Sequence, residues 1–271
     1  MNTAQSEGAA NRPGQKRPAP ARRRRQSRQI SRALWVITAL GLAVMLTGGV
    51  WLAKALAGYR QADAAYTAWA RDAVEMATPG QEGTQQMRVD WDTLLRTNPD
   101  VRMWLHGEDG ISYPVVQGNN NSYYLRHLLD GTYNIAGSIF LDYRCAGDLS
   151  DRHTVIYGHN MKDGTMLSPM AQYADQAYYN AYPTVSLATP DGQYTVELFA
   201  AYEQYVGGGY DMALDFSGDE AFLQYVEQAK AQSDFSSGVP VHADDHIVTF
   251  VLCTDEGLET TRYFVVGKLT Q

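Results

Sequence analysis

Apolar residues are distributed along the chain in two different ways. Residues 33–53, ALWVITALGLAVMLTGGVWLA, form a run of 21 positions without a charge, bracketed by Arg32 and Lys54. At ~1.5 Å of rise per helical residue, that length crosses a hydrocarbon core of ~30 Å and predicts a transmembrane helix. Ala53 and Ala55 make an A-x-A-like site, so a cleaved signal peptide is the rival reading; the run exceeds the usual signal core of ~7 to 15 residues, which favours an uncleaved anchor. Beyond it, within 58–77, Ala62, Ala65, Tyr66, Trp69, Ala73 and Met76 share one helical face and predict an amphipathic helix that docks on the folded domain or stands as a stalk. Residues 78–86 lack apolar periodicity and read as a linker. A short helix over 90–96 puts Trp91, Leu94 and Leu95 on one side.

From Asn98 onward the pattern changes to strand-length apolar or alternating runs at 102–106, 112–116, 138–141, 154–157, 194–202, 247–252 and 263–269, separated by Gly, Asn, Asp and Pro. Their frequency predicts a mainly β domain, closed or nearly closed. Tyr194, Val196 and Leu198 alternate with Thr195 and Glu197, the signature of a strand with one wet face. The last two runs are apolar on both faces and are expected at the centre of the sheet. One helix interrupts the series at 218–233, with acids in its first turn and Phe222, Tyr225, Val226 and Ala229 on one side. The chain therefore divides into a tail (1–32), an anchor (33–53), N-terminal helices (54–97) and one folded domain (98–271).

Charge sets the orientation. The tail carries nine Lys or Arg against the single acid Glu7 and is rich in Pro, Ala, Gln and Ser, a composition expected to be disordered. Such a basic block stays on the cytoplasmic side, so the folded domain faces outward. The whole chain has a formal net charge of −8, and without the tail it falls to −16. An acidic exported domain is a poor match for nucleic acid, and none is expected as a partner.

The chain has two cysteines, Cys145 and Cys253. In an exported domain a disulfide between them is the simplest structural expectation. The surroundings of Cys253 suggest chemistry instead. It ends one apolar run, and Arg262 opens the next; if the two runs form an antiparallel hairpin, the pair stands side by side at one end of the sheet. A cation lowers the pKa of a thiol from its ordinary value of ~8.5, and a guanidinium offers donors to an oxyanion. Acyl transfer also needs a group that accepts and returns a proton near neutrality. Of the six histidines, His106, His127, His153, His159, His242 and His246, the stretch HTVIYGHNMKDGTM singles out His159, delivered at a strand end after Gly158. His153 with His159, and His242 with His246, have spacings that invite a metal reading. The first pair is split between a strand start and a loop and the second sits in an acidic turn, so neither a metal nor another cofactor is expected. No G-x-S-x-G, H-E-x-x-H, Walker or G-x-G-x-x-G pattern occurs.

The blocks NPDVRMWL, YPVVQGNNNSYYLRH, AGSIFLDYR, TVIYGHNMKDGTM and ETTRYFVVGKL, in that order, resemble the class B sortases, cysteine transpeptidases of Gram-positive surfaces. The resemblance spans roughly 98–269 together with the anchor and N-terminal helices. It implies an eight-stranded sortase β-barrel with short helices, one of them, 218–233, between the sixth and seventh strands. It makes Cys253 the nucleophile, His159 the catalytic histidine and Arg262 the catalytic arginine. The implied reaction is attack on the Thr carbonyl of a C-terminal sorting signal, giving a thioacyl enzyme that an amine of a peptidoglycan precursor (lipid II) or a pilin lysine resolves. A small fraction of thiolate paired with imidazolium is the implied active form. Two departures stand out. Relatives often carry Ser-Thr or Thr-Thr before the cysteine, where this chain has Val251 and Leu252, so a hydroxyl that could meet the peptide is gone. Relatives often carry Asn where this chain has Cys145; if that position borders the site, oxidation would join Cys145 to Cys253 and switch the enzyme off. An inactive sortase-like surface domain that binds a peptide or partner is the alternative these departures raise.

Overall fold

The computed structural model describes residues 21–76, 87–206, 212–253 and 261–271, with side chains described at 32 and from 34 onward. In chain order the elements are α1 (Ala21–Ala73), β1 (Val74–Met76), β2 (Met87–Val89), α2 (Trp91–Thr97), β3 (Val101–His106), β4 (Ser112–Val116), β5 (Ile139–Leu141) and β6 (His153–His159). A 3₁₀ turn (Ser168–Ala174), α3 (Gln176–Ala181), β7 (Thr184–Thr189), β8 (Gly192–Tyr205), α4 (Asp219–Gln232), β9 (His246–Cys253) and β10 (Thr261–Thr270) follow.

The chain divides into two compact units, Met1–Lys54 and Ala55–Gln271. In the first, α1 is long and apolar enough from Leu34 to cross a membrane by length and composition, with a mean hydropathy of 2.0. Its apolar side chains, Trp35 and Trp51 among them, are exposed. The helix begins at Ala21, inside the stretch expected to be disordered. Arg, Gln and Ala are good helix formers and extend an established helix at little cost. The amphipathic face predicted over 58–77 belongs to this same helix, which stops at Ala73; Val74, Glu75 and Met76 instead pair antiparallel with Val89, Arg88 and Met87. The predicted linker at 78–86 lies outside the described residues.

In the second unit, β3 to β10 close into an eight-stranded barrel in the order β10-β8-β7-β3-β4-β5-β6-β9, with β9 pairing back to β10. The β4–β5 and β6–β9 pairs are parallel and the others antiparallel. Trp104, Phe140, Phe199, Phe250 and Phe264 are fully buried. β9 lies between β6 and β10, which explains a sequence without a polar face: from Ile247 to Leu252 every side chain is buried. α4 follows the sixth barrel strand and buries Phe222, Val226 and Ala229. α2 starts where Asp90 accepts from the Thr93 amide at 3.0 Å, a side-chain N-cap.

Sequence patterning did not mark β7. The strand has only Val185 and Leu187 as large apolar residues, yet it runs through Pro190, Asp191 and Gly192 into β8 as a hairpin.

Candidate active site

The site is made by register. β6 and β9 run parallel with His159 directly opposite Cys253. β10 runs antiparallel to β9 with Tyr263 opposite Leu252, so the next step of the same register sets Arg262 opposite Cys253. Directly opposed residues point to the same face of a sheet, with strands ~4.8 Å apart. Histidine, cysteine and arginine therefore stand in a row across three neighbouring strands at one end of the barrel, the sulfur in the middle. Cys253 and Arg262 are half-buried and His159 is buried.

Local packing holds this end in place. Gly158 precedes the histidine because a Cβ there would come within 2.6 Å of Leu167 Cγ. The Asn160 amide donates to the Cys253 carbonyl at 2.9 Å, which fastens the end of β6 to the backbone of Cys253. The Leu167 amide donates to the His159 carbonyl at 3.1 Å. Between them the chain turns through Met166, which is buried with φ of 60°, a sparsely populated backbone region for a side chain of this size.

Nε2 of His159 lies 2.8 Å from the Leu125 carbonyl oxygen. A carbonyl only accepts, so this nitrogen carries the proton in the neutral ring, which leaves Nδ1, a buried atom, as the ring's acceptor. Beside the row, Tyr157 sits two residues before His159 on the same face of β6, and its hydroxyl donates to Asp142 Oδ2 at 3.1 Å. Asp142 is fully buried and accepts from Arg144 Nε at 2.9 Å, Arg144 Nη2 at 2.8 Å and Asn121 Nδ2 at 3.0 Å. Burial pushes the Asp142 pKa up, but the hydrogen bonds from Arg144 and Asn121 outweigh it and hold the carboxyl below the usual carboxylate range. Burial, then the Asp142 charge, raises the Tyr157 pKa, so its hydroxyl remains a donor. Sequence reasoning assigned no role to Leu125, Asn121, Asp142, Arg144 or Tyr157. The LDYR and NNNSYYLRH blocks contain four of them, but only tertiary contacts give them partners.

The structure separates the two cysteines, and neither is in a disulfide. Cys145 Sγ lies 3.9 Å from the carbonyl oxygen of His153, at the far end of β6 from His159. Six residues of strand separate the ends, roughly 20 Å, whereas a disulfide needs Cα atoms within ~7 Å. The expected Cys145–Cys253 bridge, as staple or as switch, is overturned: Cys145 is a buried core residue with its thiol pushed up to about 12 by burial. Val251 and Leu252 are also buried, so their apolar character serves barrel packing. Among the described residues, no group of three or more His, Cys, Asp or Glu is placed to hold a metal ion.

No protein-family model matches the sequence. It is 37% identical to Sortase B of Listeria monocytogenes over 186 residues, 68% of this chain and 75% of that protein. It is 30% identical to Sortase B of Staphylococcus aureus over 183 residues, 67% of this chain and 75% of that protein. The solved S. aureus sortase B–substrate complex and a sortase B complexed with triglycine are each 29% identical, with a TM-score of 0.63, and cover 67% of this chain and 84% and 85% of theirs. With this similarity over a closed mixed barrel of the same kind, the chain belongs to the class B sortases and is a cysteine transpeptidase.

Proposed function

We propose that Cys253 is the nucleophile, His159 the acid–base group and Arg262 the oxyanion donor of a sorting reaction carried out by residues 98–271. The observation that carries this is the row of three side chains across β6, β9 and β10. The Cys253 thiolate, its proton passed to His159 Nδ1, attacks the Thr carbonyl carbon of a sorting signal, and the guanidinium of Arg262 meets the negative charge that gathers on the carbonyl oxygen. The intermediate collapses by breaking the C–N bond; His159 Nδ1 gives its proton to the leaving amine, and a thioester remains on Cys253. An incoming amine then attacks the thioester, His159 takes up its proton, and the sulfur departs as thiolate. Water in place of the amine yields hydrolysis.

The solved complexes of related sortases with a substrate and with triglycine support a sorting peptide and an amine as the two partners. The amine belongs to a peptidoglycan precursor, lipid II, or to a pilin lysine. Residues 33–53 anchor the enzyme in the cell membrane with the basic N-terminus cytoplasmic and the barrel outside. Trp35 and Trp51, exposed near the two ends of the apolar run, suit the two interfacial belts.

The test is cleavage of a fluorogenic sorting peptide, with and without triglycine as acceptor. Cys253→Ala is expected to lower both cleavage and transfer by at least ~10³-fold. Full activity in that variant would overturn the assignment.

A further inference from the structure

The Leu125 carbonyl that holds His159 is itself held from behind. Gly137 has φ of +56°, and a Cβ on it would lie 2.5 Å from Tyr124 O, 2.6 Å from Leu125 O and 2.8 Å from Leu125 C, so the bare Cα of Gly137 backs directly onto this stretch of main chain. The Ser138 amide donates to the neighbouring Tyr124 carbonyl at 2.8 Å, which keeps the two segments in contact. Gly137 is fixed in turn by Tyr66 of α1, whose hydroxyl donates to the Gly137 carbonyl at 2.7 Å and lies 2.8 Å from Ser138 Oγ. Tyr66 is buried, and burial raises its phenol pKa, so the donor persists at any physiological pH.

The same ring also packs towards the segment that follows His159 in sequence. Tyr66 packs edge-on against Tyr113 at 5.3 Å, and the Tyr113 hydroxyl accepts from the Met166 amide at 3.1 Å. Met166 adjoins Leu167, whose amide bonds to the His159 carbonyl at 3.1 Å. One side chain outside the barrel thus braces both the ring contact and the main chain of His159.

We infer that Tyr66 is a positioning residue for His159, acting through Gly137 on the Leu125 carbonyl and so fixing which ring nitrogen exchanges protons. The inference rests on the reading of His159 as the acid–base group. Removing the phenol hydroxyl takes away the bond on the Gly137 carbonyl and leaves that peptide to the Ser138 amide alone, and adding a methyl at Gly137 pushes on the Tyr124 and Leu125 carbonyls, the second of which then moves from Nε2. In either case the Nε2–H tautomer loses its acceptor, and the proton affinity of Nδ1 changes.

The experiment is nitrogen NMR of the full-length chain in detergent micelles, with 15N in the histidine rings and Cys253→Ala as background, so that no activity is required. The His159 resonances are assigned by their loss in His159→Gln. Tyr66→Phe, which keeps the ring, and Gly137→Ala are each expected to change the tautomer balance of His159 or to move its titration midpoint by about half a unit or more. His153, in the same strand, keeps its signals and reports that the fold is intact. In the Cys253-containing protein the acid limb of the pH–rate profile is expected to move with the NMR midpoint. If Tyr66→Phe leaves His159 unchanged, or if all histidine signals shift together, the inference is overturned. A shifted His159 in an enzyme that survives Cys253→Ala would instead sink only the catalytic assignment.

Discussion

Both ends of β6 carry a histidine with a cysteine nearby, yet they differ in every property that matters for reaction. At one end His153 is fully buried, its Nδ1 2.7 Å from the Ala213 carbonyl and its Nε2 2.8 Å from Thr249 Oγ1. The carbonyl fixes the proton on Nδ1, and Nε2 accepts from the hydroxyl, so both ring nitrogens are used for structure. Burial lowers the His153 pKa to about 4. Its neighbour Cys145 has a thiol that burial raises to about 12, in spite of the charge of Arg144 acting the other way. At the other end His159 holds the opposite tautomer through Leu125, and Cys253 is half-exposed between the histidine and Arg262. Residue types alone do not make a reactive centre. What differs between the two ends is the exposure of the sulfur and the tautomer of the histidine beside it.

The sharpest way to break the contrast is to take the cation away. With Arg262 as the proposed oxyanion donor, Arg262→Ala should lower kcat for peptide cleavage by about 10³-fold; a loss under about threefold would argue that the arginine is not at the reacting carbonyl. The next effect belongs to the quiet end. A histidine with its folded pKa depressed contributes stability above its ordinary value that is lost as pH falls through the window below it. For His153 that window runs from 6.5 to about 4, and the linked loss is on the order of 3 kcal/mol. Urea unfolding across this range should show His153→Gln with a flatter dependence on pH than the parent, although it starts less stable. Equal slopes would place the linkage elsewhere. The smallest effect is expected at Cys145. Cys145→Ala should leave peptide cleavage within about twofold, and native alkylation at pH 8 should modify Cys253 while Cys145 reacts only after unfolding. Intact mass distinguishes one added label from two.

Much of the barrel could be read from the sequence because strands buried on both faces and strands with one wet face leave different marks. The apolar runs ending at Leu252 and Leu269 signalled a hairpin of central strands, and its pairing runs as far as Leu252 and Tyr263, the neighbours of Cys253 and Arg262. His159 could be singled out as a residue at a strand end. Its placement beside Cys253 could not be read, since parallel pairing joins strands 94 positions apart and has no turn to announce it. The Leu125 carbonyl was equally hidden: any residue supplies a backbone oxygen, so its identity carries no signal. Cys145 misled because it follows the LDYR block in sequence, while the backbone turns at Asp142 and Cys145 and carries the sulfur towards the start of β6.

The parallel seam between β6 and β9 also fixes when the centre comes into being. Its pairing joins positions 94 apart, and contacts at such separation carry a loop-closure cost that slows folding. A half-folded molecule in which that seam is open therefore has the sulfur of Cys253 without the imidazole of His159 beside it, and the arrangement proposed above for cutting and joining peptides is complete only once the barrel has closed.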